Sequence, residues 1–510
     1  MGEVPKLAQV RQWGEQTDIG GLARRGALSL GGAAISAVAS LLVVVVITRG
    51  FGKADAGALF SATSLFVIAE SLCAMGTVTG LVYFIARVRA LDQPSEVHHV
   101  IKMAILPVTV VAVIVATLTF FFSSTVAGIV QGPDGTMSSY IRVLAVFLPF
   151  AVLFDVLIAG TQGFHTMTPT VLLEKIGRPT LQILLVVAAL ELGKTWALPL
   201  AWACPYAVGL TFVAGALARL TGKERRATVP AEPVVSRREF WRYTGPRGVA
   251  AVAQLTLQRL DIVLVASMLG AREAAIYTAA TRFVVLGQLG SQAVALAVQP
   301  KFSELLAKQD LAGAQHVYKM STAWVISVTW PIHILVAVLA PIILLMFGAG
   351  YEEGRWVMVI LAGSMLVATG CGMVSMLLVM AGRTTANLVN VAIALTANLV
   401  LNILLIPRLG IVGAAIAWAL SIVLSNLAPL FEIRLSMGLS PFGRASARSA
   451  ALALVALGAL PSLGWMLSGN KSLVIGLAAC GVVLYTAGTW RLRKSLQLDS
   501  LLSPIAARMR

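Results

Sequence analysis

Fourteen apolar runs, most of them about 20 residues long, constrain this chain more than any other feature. They fall at 27–48, 57–80, 103–123, 141–162, 180–192, 196–218, 248–269, 275–299, 322–347, 356–380, 387–406, 411–431, 447–468 and 472–489. About 20 apolar residues in a helix span the hydrocarbon core of a bilayer. Within lipid, backbone polar groups must be satisfied inside the segment, so the spans are helices or a closed barrel. The runs carry no period-2 alternation, which excludes the barrel. The expected fold is all-α and polytopic, with about 14 transmembrane helices. The fifth run is short and has Pro179 at its start, so its helix is expected to begin earlier, near Thr170.

The chain repeats at an offset of about 218 residues. Laying 48–67 over 266–285 pairs Gly52 with Gly270, Asp55 with Glu273, Ala56 with Ala274, Ala62 with Ala280, Thr63 with Thr281 and Val67 with Val285. Near the same offset, 191–202 lies over 408–419 with Gly193 on Gly410. Internal repeats in a polytopic chain are a mark of transporters that rock two halves around a central site. Six runs precede a basic, Pro-containing stretch at 219–247 and six follow it. An even number per unit gives both units the same orientation, so the repeat is parallel. The expected division is a cytoplasmic N-terminal segment at 1–26, an N-lobe at 27–218, a basic cytoplasmic linker at 219–247 and a C-lobe at 248–431. An accessory helix pair at 432–490 and a cytoplasmic tail at 491–510 complete it.

Only 12% of the 510 residues are charged, with a formal net charge of +17. A nucleic-acid binder would cluster that charge on one face. Here alternate loops take it: 29 Lys and Arg fall in the segments on the side of the N-terminus and 7 in the opposite loops. This is the positive-inside pattern. It places both termini in the cytoplasm, predicts attraction to anionic membrane lipids and excludes nucleic acid as a partner. About 25 polar residues precede the first run and no cleavage signature follows it, so the first helix is expected to insert itself.

Enzyme signatures are lacking. The string Leu192-Gly193-Lys194-Thr195 resembles the end of a phosphate-binding loop but lacks its leading glycine. The histidines and the four cysteines show no metal spacing. The longest external loop, 123–140, is too small for a catalytic domain. No catalytic residue, metal or cofactor is expected.

Ionisable residues inside spans cost about 2.5–3.5 kcal/mol each at the helix centre on insertion scales, so they mark cavities or partners. They are Glu70, Asp155, Arg259, Asp261 and Arg282. Helical spacing adds Gln254 and Gln258 to the face of Asp261, Thr278 to that of Arg282, and Gln288 and Gln292 to the stripe of Thr281. Arg25, Ser29, Ser36 and Ser40 align on the first helix. These stripes are expected to line one hydrophilic cavity, with Asp155, Asp261 and Glu70 as candidates for ion coupling. Arg259 and Asp261 are two residues apart and point to nearly opposite sides, so Arg259 is expected to face a neighbouring helix. Asn387, Asn390, Asn398, Asn402, Ser421, Ser425 and Asn426 line the cavity or join helices by hydrogen bonds.

Three passages carry a family likeness: 47–66, 260–310 and 377–426. They contain a Leu269-Gly270 turn leading to Tyr277, and Pro300 before Ser303-Glu304. In these the chain resembles the oligosaccharide flippase branch of the multidrug/oligosaccharidyl-lipid/polysaccharide exporter superfamily, the branch of O-antigen and lipid II flippases. The resemblance implies a V-shaped pair of six-helix bundles with alternating access in a bacterial plasma membrane. It implies transfer of a polyprenyl-diphosphate-linked saccharide from the inner to the outer leaflet, alongside glycosyltransferases or polymerases of the same pathway. Carried over by helix position, the diphosphate ligands would be Arg282 and Arg25, with Arg24 and Arg49 behind them. The 14-helix lipid II flippases also have an extra helix pair. The rivals are an ion-coupled drug or cation antiporter of the same fold, whose cavity would be acidic and aromatic, and a non-transporting partner of a polysaccharide synthase.

Overall fold

The computed structural model describes residues 19–91, 93–130, 135–224 and 235–497. Among them the chain is helical, with no strand. Twelve helices are long and apolar enough to cross a membrane, and the protein is a multi-pass membrane protein. The two remaining expected spans are helical but broken. The run at 180–192 lies on helix Arg178–Glu191, preceded by a π-helical segment at Thr170–Gly177, so the span does begin at Thr170. The run at 275–299 is divided between Ala271–Thr281 and Val284–Ala307.

In chain order the first group of helices is α1 (Ile19–Gly50), α2 (Lys53–Ala74), α3 (Thr77–Ala90), α4 (Glu96–Phe121), α5 (Thr136–Gly163), α6 (Arg178–Glu191) and α7 (Ala197–Glu224). The second is α8 (Arg237–Leu269), α9 (Ala271–Thr281), α10 (Val284–Ala307), α11 (Leu311–Val338), α12 (Arg355–Gly370), α13 (Val374–Met380), α14 (Thr384–Leu409) and α15 (Ile411–Met437). Each group packs chiefly on itself, and the groups meet where α2 lies against α8 and α9. The stretch expected as a linker is shorter than 219–247, because α7 runs to Glu224 and α8 begins at Arg237. Ser236 caps α8 by accepting the Glu239 N–H at 3.1 Å.

The repeat positions fall at matching places along the helices, although Gly52 has φ −61° and Gly270 φ +96°. Gly52 and Gly270 each precede the first turn of a helix, and Gly193 and Gly410 both sit in turns with φ near +60°.

Both ends of the contact between the groups are tightly closed. At the end of α2 near Lys53, a Cβ on Gly57 would lie 1.7 Å from the Ala271 carbonyl oxygen. Around it Arg272 pairs with Glu353 at 2.8 Å, and Lys53 Nζ lies 5.3 Å from the centre of the Tyr351 ring. At the opposite end α2 stops at Met75 and Gly76, both with positive φ. A Cβ on Gly76 would lie 2.3 Å from the Thr244 carbonyl oxygen, so close approach and backbone conformation both call for glycine. Beyond it Arg87 pairs with Glu239 at 2.5 Å, and the Tyr83 and Tyr243 rings stack at 4.3 Å.

The last helices, α16 (Arg444–Ala453), α17 (Leu460–Leu467) and α18 (Lys471–Arg491), dock on α11. Tyr485 donates to the Ser327 carbonyl at 2.8 Å and Trp465 to that of Val338 at 3.0 Å.

Candidate functional site

Between the two closed ends lie two adjoining cavities. The larger, about 280 Å3, is walled by α1, α2, α5, α6 and α7 and receives Arg259 and Arg282 from the second group. The smaller, about 80 Å3, lies within the second group and is also lined by Arg259 and Arg282. The two guanidinium groups thus stand at the junction, close enough to repel each other.

The helix break positions Arg282. α9 ends at Thr281, and Arg282 and Phe283 form the turn before α10. A helix end leaves carbonyls without partners, and Arg282 Nε donates to the Thr278 carbonyl at 3.2 Å. That uses one of five guanidinium donors. Neither Arg282 nor Arg259 makes an ion pair among the described residues. Two unneutralised guanidinium groups this deep are costly until an anion joins them.

The wall opposite carries the balancing chemistry. Glu70 and Asp155 both line it, and Glu70 Oε1 is buried without a hydrogen-bond partner. Arg178 Nη1 donates to the Tyr206 hydroxyl at 2.5 Å, and Gln182 Nε2 donates to the Trp202 carbonyl at 2.8 Å. Glu174 pairs with Lys175 at 2.5 Å. Glu174 and Arg178 face the cavity with Phe60, Thr63 and Trp202.

Asp261 is buried on α8. Its Oδ2 accepts from the Tyr277 hydroxyl at 3.1 Å and its Oδ1 from Asn402 Nδ2 at 2.9 Å. The Asn402 Oδ1 and both amide atoms of Asn398 beside it are buried without partners.

The structure therefore brings Arg282, Glu70, Asp155 and Ser36 to the larger cavity, and Asp261, Gln258, Gln288 and Arg282 to the smaller. Thr278 lies behind, holding Arg282 through its carbonyl. Arg259 does face a neighbouring helix, across the junction toward Tyr206. It nevertheless shares the smaller cavity with Asp261.

Several expected residues are elsewhere. Gln254 and Gln292 are exposed and line neither cavity. Arg49 does not reach them: it lies in the last turn of α1, where its Nε donates to the Met346 carbonyl at 2.7 Å and helps close the groups together. Arg24 and Arg25 lie on α1, but their side chains fall outside the described residues, as does that of Ser29.

Arg178 and Lys175 counted as loop charges in the sequence, whereas Arg178 is a cavity residue. The signal was local: the early start of the fifth span at Thr170 draws Glu174, Lys175 and Arg178 onto a helix.

Residues 22–306 match a family described as polysaccharide biosynthesis protein. The chain belongs to that family. A stretch of 191 residues is 25% identical to the probable low-salt glycan biosynthesis flippase Agl15 of Haloferax volcanii, covering 37% of this chain. The chain spans only 40% of the length of that curated relative. Among solved structures, the lipid II flippase MurJ in an inward closed conformation superposes with a TM-score of 0.73 at 12% identity, covering 91% of this family member and 98% of that chain. An inward-facing multidrug resistance MATE family transporter of the MOP superfamily gives 0.66 at 15% identity, covering 79% and 94%. The chain shares its fold with the superfamily that its sequence resembles.

Proposed function

We propose that this chain is a flippase that carries a polyprenyl-diphosphate-linked saccharide from the inner to the outer leaflet of a bacterial plasma membrane, for cell-envelope polysaccharide synthesis. The observation that carries the reading is the pair Arg259 and Arg282, half-buried at the cavity junction with no carboxylate partner among the described residues. Guanidinium grips phosphate oxygens through paired N–H donors. The diphosphate takes that position, with Arg25 and Arg24 on α1 as further ligands. The sugars occupy the amide, hydroxyl and aromatic wall formed by Gln182, Ser36, Thr63 and Trp202. The larger cavity holds about nine waters at ~30 Å3 each, so a long saccharide requires the groups to part.

The helix groups 27–218 and 248–431 act as the two lobes, with both termini cytoplasmic and helices 432–490 as an accessory pair. The family likeness and the roles of the glycan flippase and MurJ support the class of cargo. Coupling acts at the carboxyls. Glu70 and Asp155 face the same cavity as Arg282, so protonation of either would change the charge that the cargo meets there. Asp261, with the unpartnered oxygens of Asn398 and Asn402, offers a seat for a proton or a monovalent cation. Pathway glycosyltransferases or polymerases supply and consume the cargo.

The test is leaflet translocation of labelled polyprenyl-diphosphate sugars in proteoliposomes. Wild type should transport, and Arg282→Ala and Arg259→Ala should each lose at least about tenfold, the worth of one charge-assisted phosphate contact of ~1.4 kcal/mol. Absence of lipid transport together with gradient-driven efflux of small cations would replace this reading with the antiporter.

A further inference from the structure

The exposed glutamine Gln254 lies inside an expected span, away from both cavities, and the central site does not use it. It belongs to a stripe. On α8, Arg247, Ala251, Gln254 and Gln258 are all exposed, at spacings of four, three and four. Such spacing puts them on one helix face. The stripe covers ~16 Å of helix at 1.5 Å per residue. Gln258 at its upper end lines the small cavity with Arg282 and Gln288.

At its lower end the stripe opens on a groove of about 600 Å3 lined by Ser236, Arg238, Glu239, Arg242, Tyr243 and Arg247. The single carboxylate of the groove, Glu239, is engaged by Arg87 from α3. Arg238, Arg242 and Arg247 make no ion pair among the described residues. Arg247 is held in place: its guanidinium lies 3.6 Å from the centre of the Tyr243 ring, and its Nη1 donates to the Tyr243 carbonyl at 2.9 Å. Tyr243 in turn stacks on Tyr83. The groove lies on the side that the Lys and Arg distribution assigns to the cytoplasm.

We propose that this groove is a loading site that captures the phosphate-bearing head group of a lipid in the inner leaflet and passes it along the Arg247–Gln254–Gln258 stripe to Arg259 and Arg282. The proposal rests on the flippase reading for the identity of the passenger. The groove itself selects for phosphate oxygens, because three unpaired guanidinium groups face a polyanion at the membrane surface. The stripe accounts for its glutamines: amide side chains hydrogen-bond phosphate and sugar oxygens without trapping the charge that arginines would hold.

The experiment uses the full chain in phosphatidylcholine nanodiscs and proteoliposomes. The probes are farnesyl diphosphate, a short polyprenyl diphosphate, and phosphatidylglycerol, a bulk anionic lipid. The triple variant Arg238→Gln/Arg242→Gln/Arg247→Gln changes exposed side chains, and Gln254→Leu tests the stripe separately. In the triple variant, farnesyl diphosphate affinity should fall about tenfold, as for the loss of one charge-assisted contact. KM for leaflet translocation should rise by a similar factor with kcat unchanged, and Gln254→Leu should slow transport without weakening farnesyl diphosphate binding. Unchanged affinity in the triple variant overturns the proposal. Equal loss for both lipids with unchanged KM makes the groove a seat for bulk phospholipid and overturns its loading role. Where wild type moves no lipid-linked saccharide, the flippase reading fails by itself. The binding arm then decides head-group capture: a tenfold loss supports it and no loss overturns it.

Discussion

Gly57 sets the closure of one end of the molecule, and adding a single methyl group there should pry it open. An alanine Cβ would stand 1.7 Å from the Ala271 carbonyl oxygen and 2.5 Å from its carbon. The closest comfortable carbon–oxygen approach is ~3.3 Å, so α2 and the start of α9 must separate by about 1.6 Å. Both sides of the contact are backbone or Cβ, so no flexible side chain can swing aside. Overpacking of this kind costs ~1–3 kcal/mol. The cost falls only on conformations in which these helix ends touch. A bias of that size multiplies the ratio of open to closed states by about 5 to 150.

Spin labels at Leu192→Cys and Leu409→Cys, in a Cys480→Ser background, read the separation. Both leucines are exposed and flank the equivalent turns at Gly193 and Gly410, one in each helix group. Gly57→Ala should add a longer inter-label distance that is minor or absent in the parent. A distance distribution identical to the parent's, in a variant that melts at the parent's temperature, would refute the claim that this contact closes the structure.

Three further outcomes are expected. Tyr277→Phe removes one of two donors to the buried Asp261 carboxyl and should cost about 1.5–3 kcal/mol, as for a hydrogen bond to a charged group, read as a lower melting temperature in detergent. A shift within error would mean that Asp261 is neutral there. A double-mutant cycle on Arg87→Gln and Glu239→Gln should return a coupling of about 0.2–1 kcal/mol, because both side chains are over a third exposed and solvent screens the pair; more than 2 kcal/mol would show a dry contact. Tyr485→Phe, which unpins α18 from the Ser327 carbonyl, should cost about 1 kcal/mol of stability and leave translocation unchanged. Lost transport at full stability would place the accessory helices in the machinery.

The membrane class and the helical content were legible in the sequence because long apolar runs have one physical solution in lipid. The ionisable residues inside the runs pointed to the cavity for the same reason: Glu70, Asp155 and Arg282 all line it. Arg178 escaped because a π-helical segment carried it inward from a stretch too polar to count as a span. Arg49 misled because helix position alone says nothing about whether a guanidinium points inward or folds back on a carbonyl of the next helix group. Gln254 and Gln292 had the right period but the wrong face, since spacing along one helix defines a stripe and not its neighbour. The partners of Asp261 lie 16 and 141 residues away; one was readable as a near neighbour and the other only from the fold.

Two of the backbone irregularities in the membrane region sit beside cavity arginines, and this bears on mechanism. The π-helical segment ends at Gly177, one residue before Arg178, and the break between α9 and α10 is at Arg282 itself. Irregular backbone at membrane depth survives only where it is buried in protein or lines a cavity. Each irregularity also aims an arginine from its own helix group at one shared space. An anion between them would be held by both groups at once, and its release would leave like charges facing each other across the junction. On the flippase reading, the arginines that would hold the cargo would also repel each other once it leaves, which favours separation of the groups. A chain with Arg282→Gln should therefore lose the cargo dependence of the Leu192–Leu409 label distance while keeping its fold.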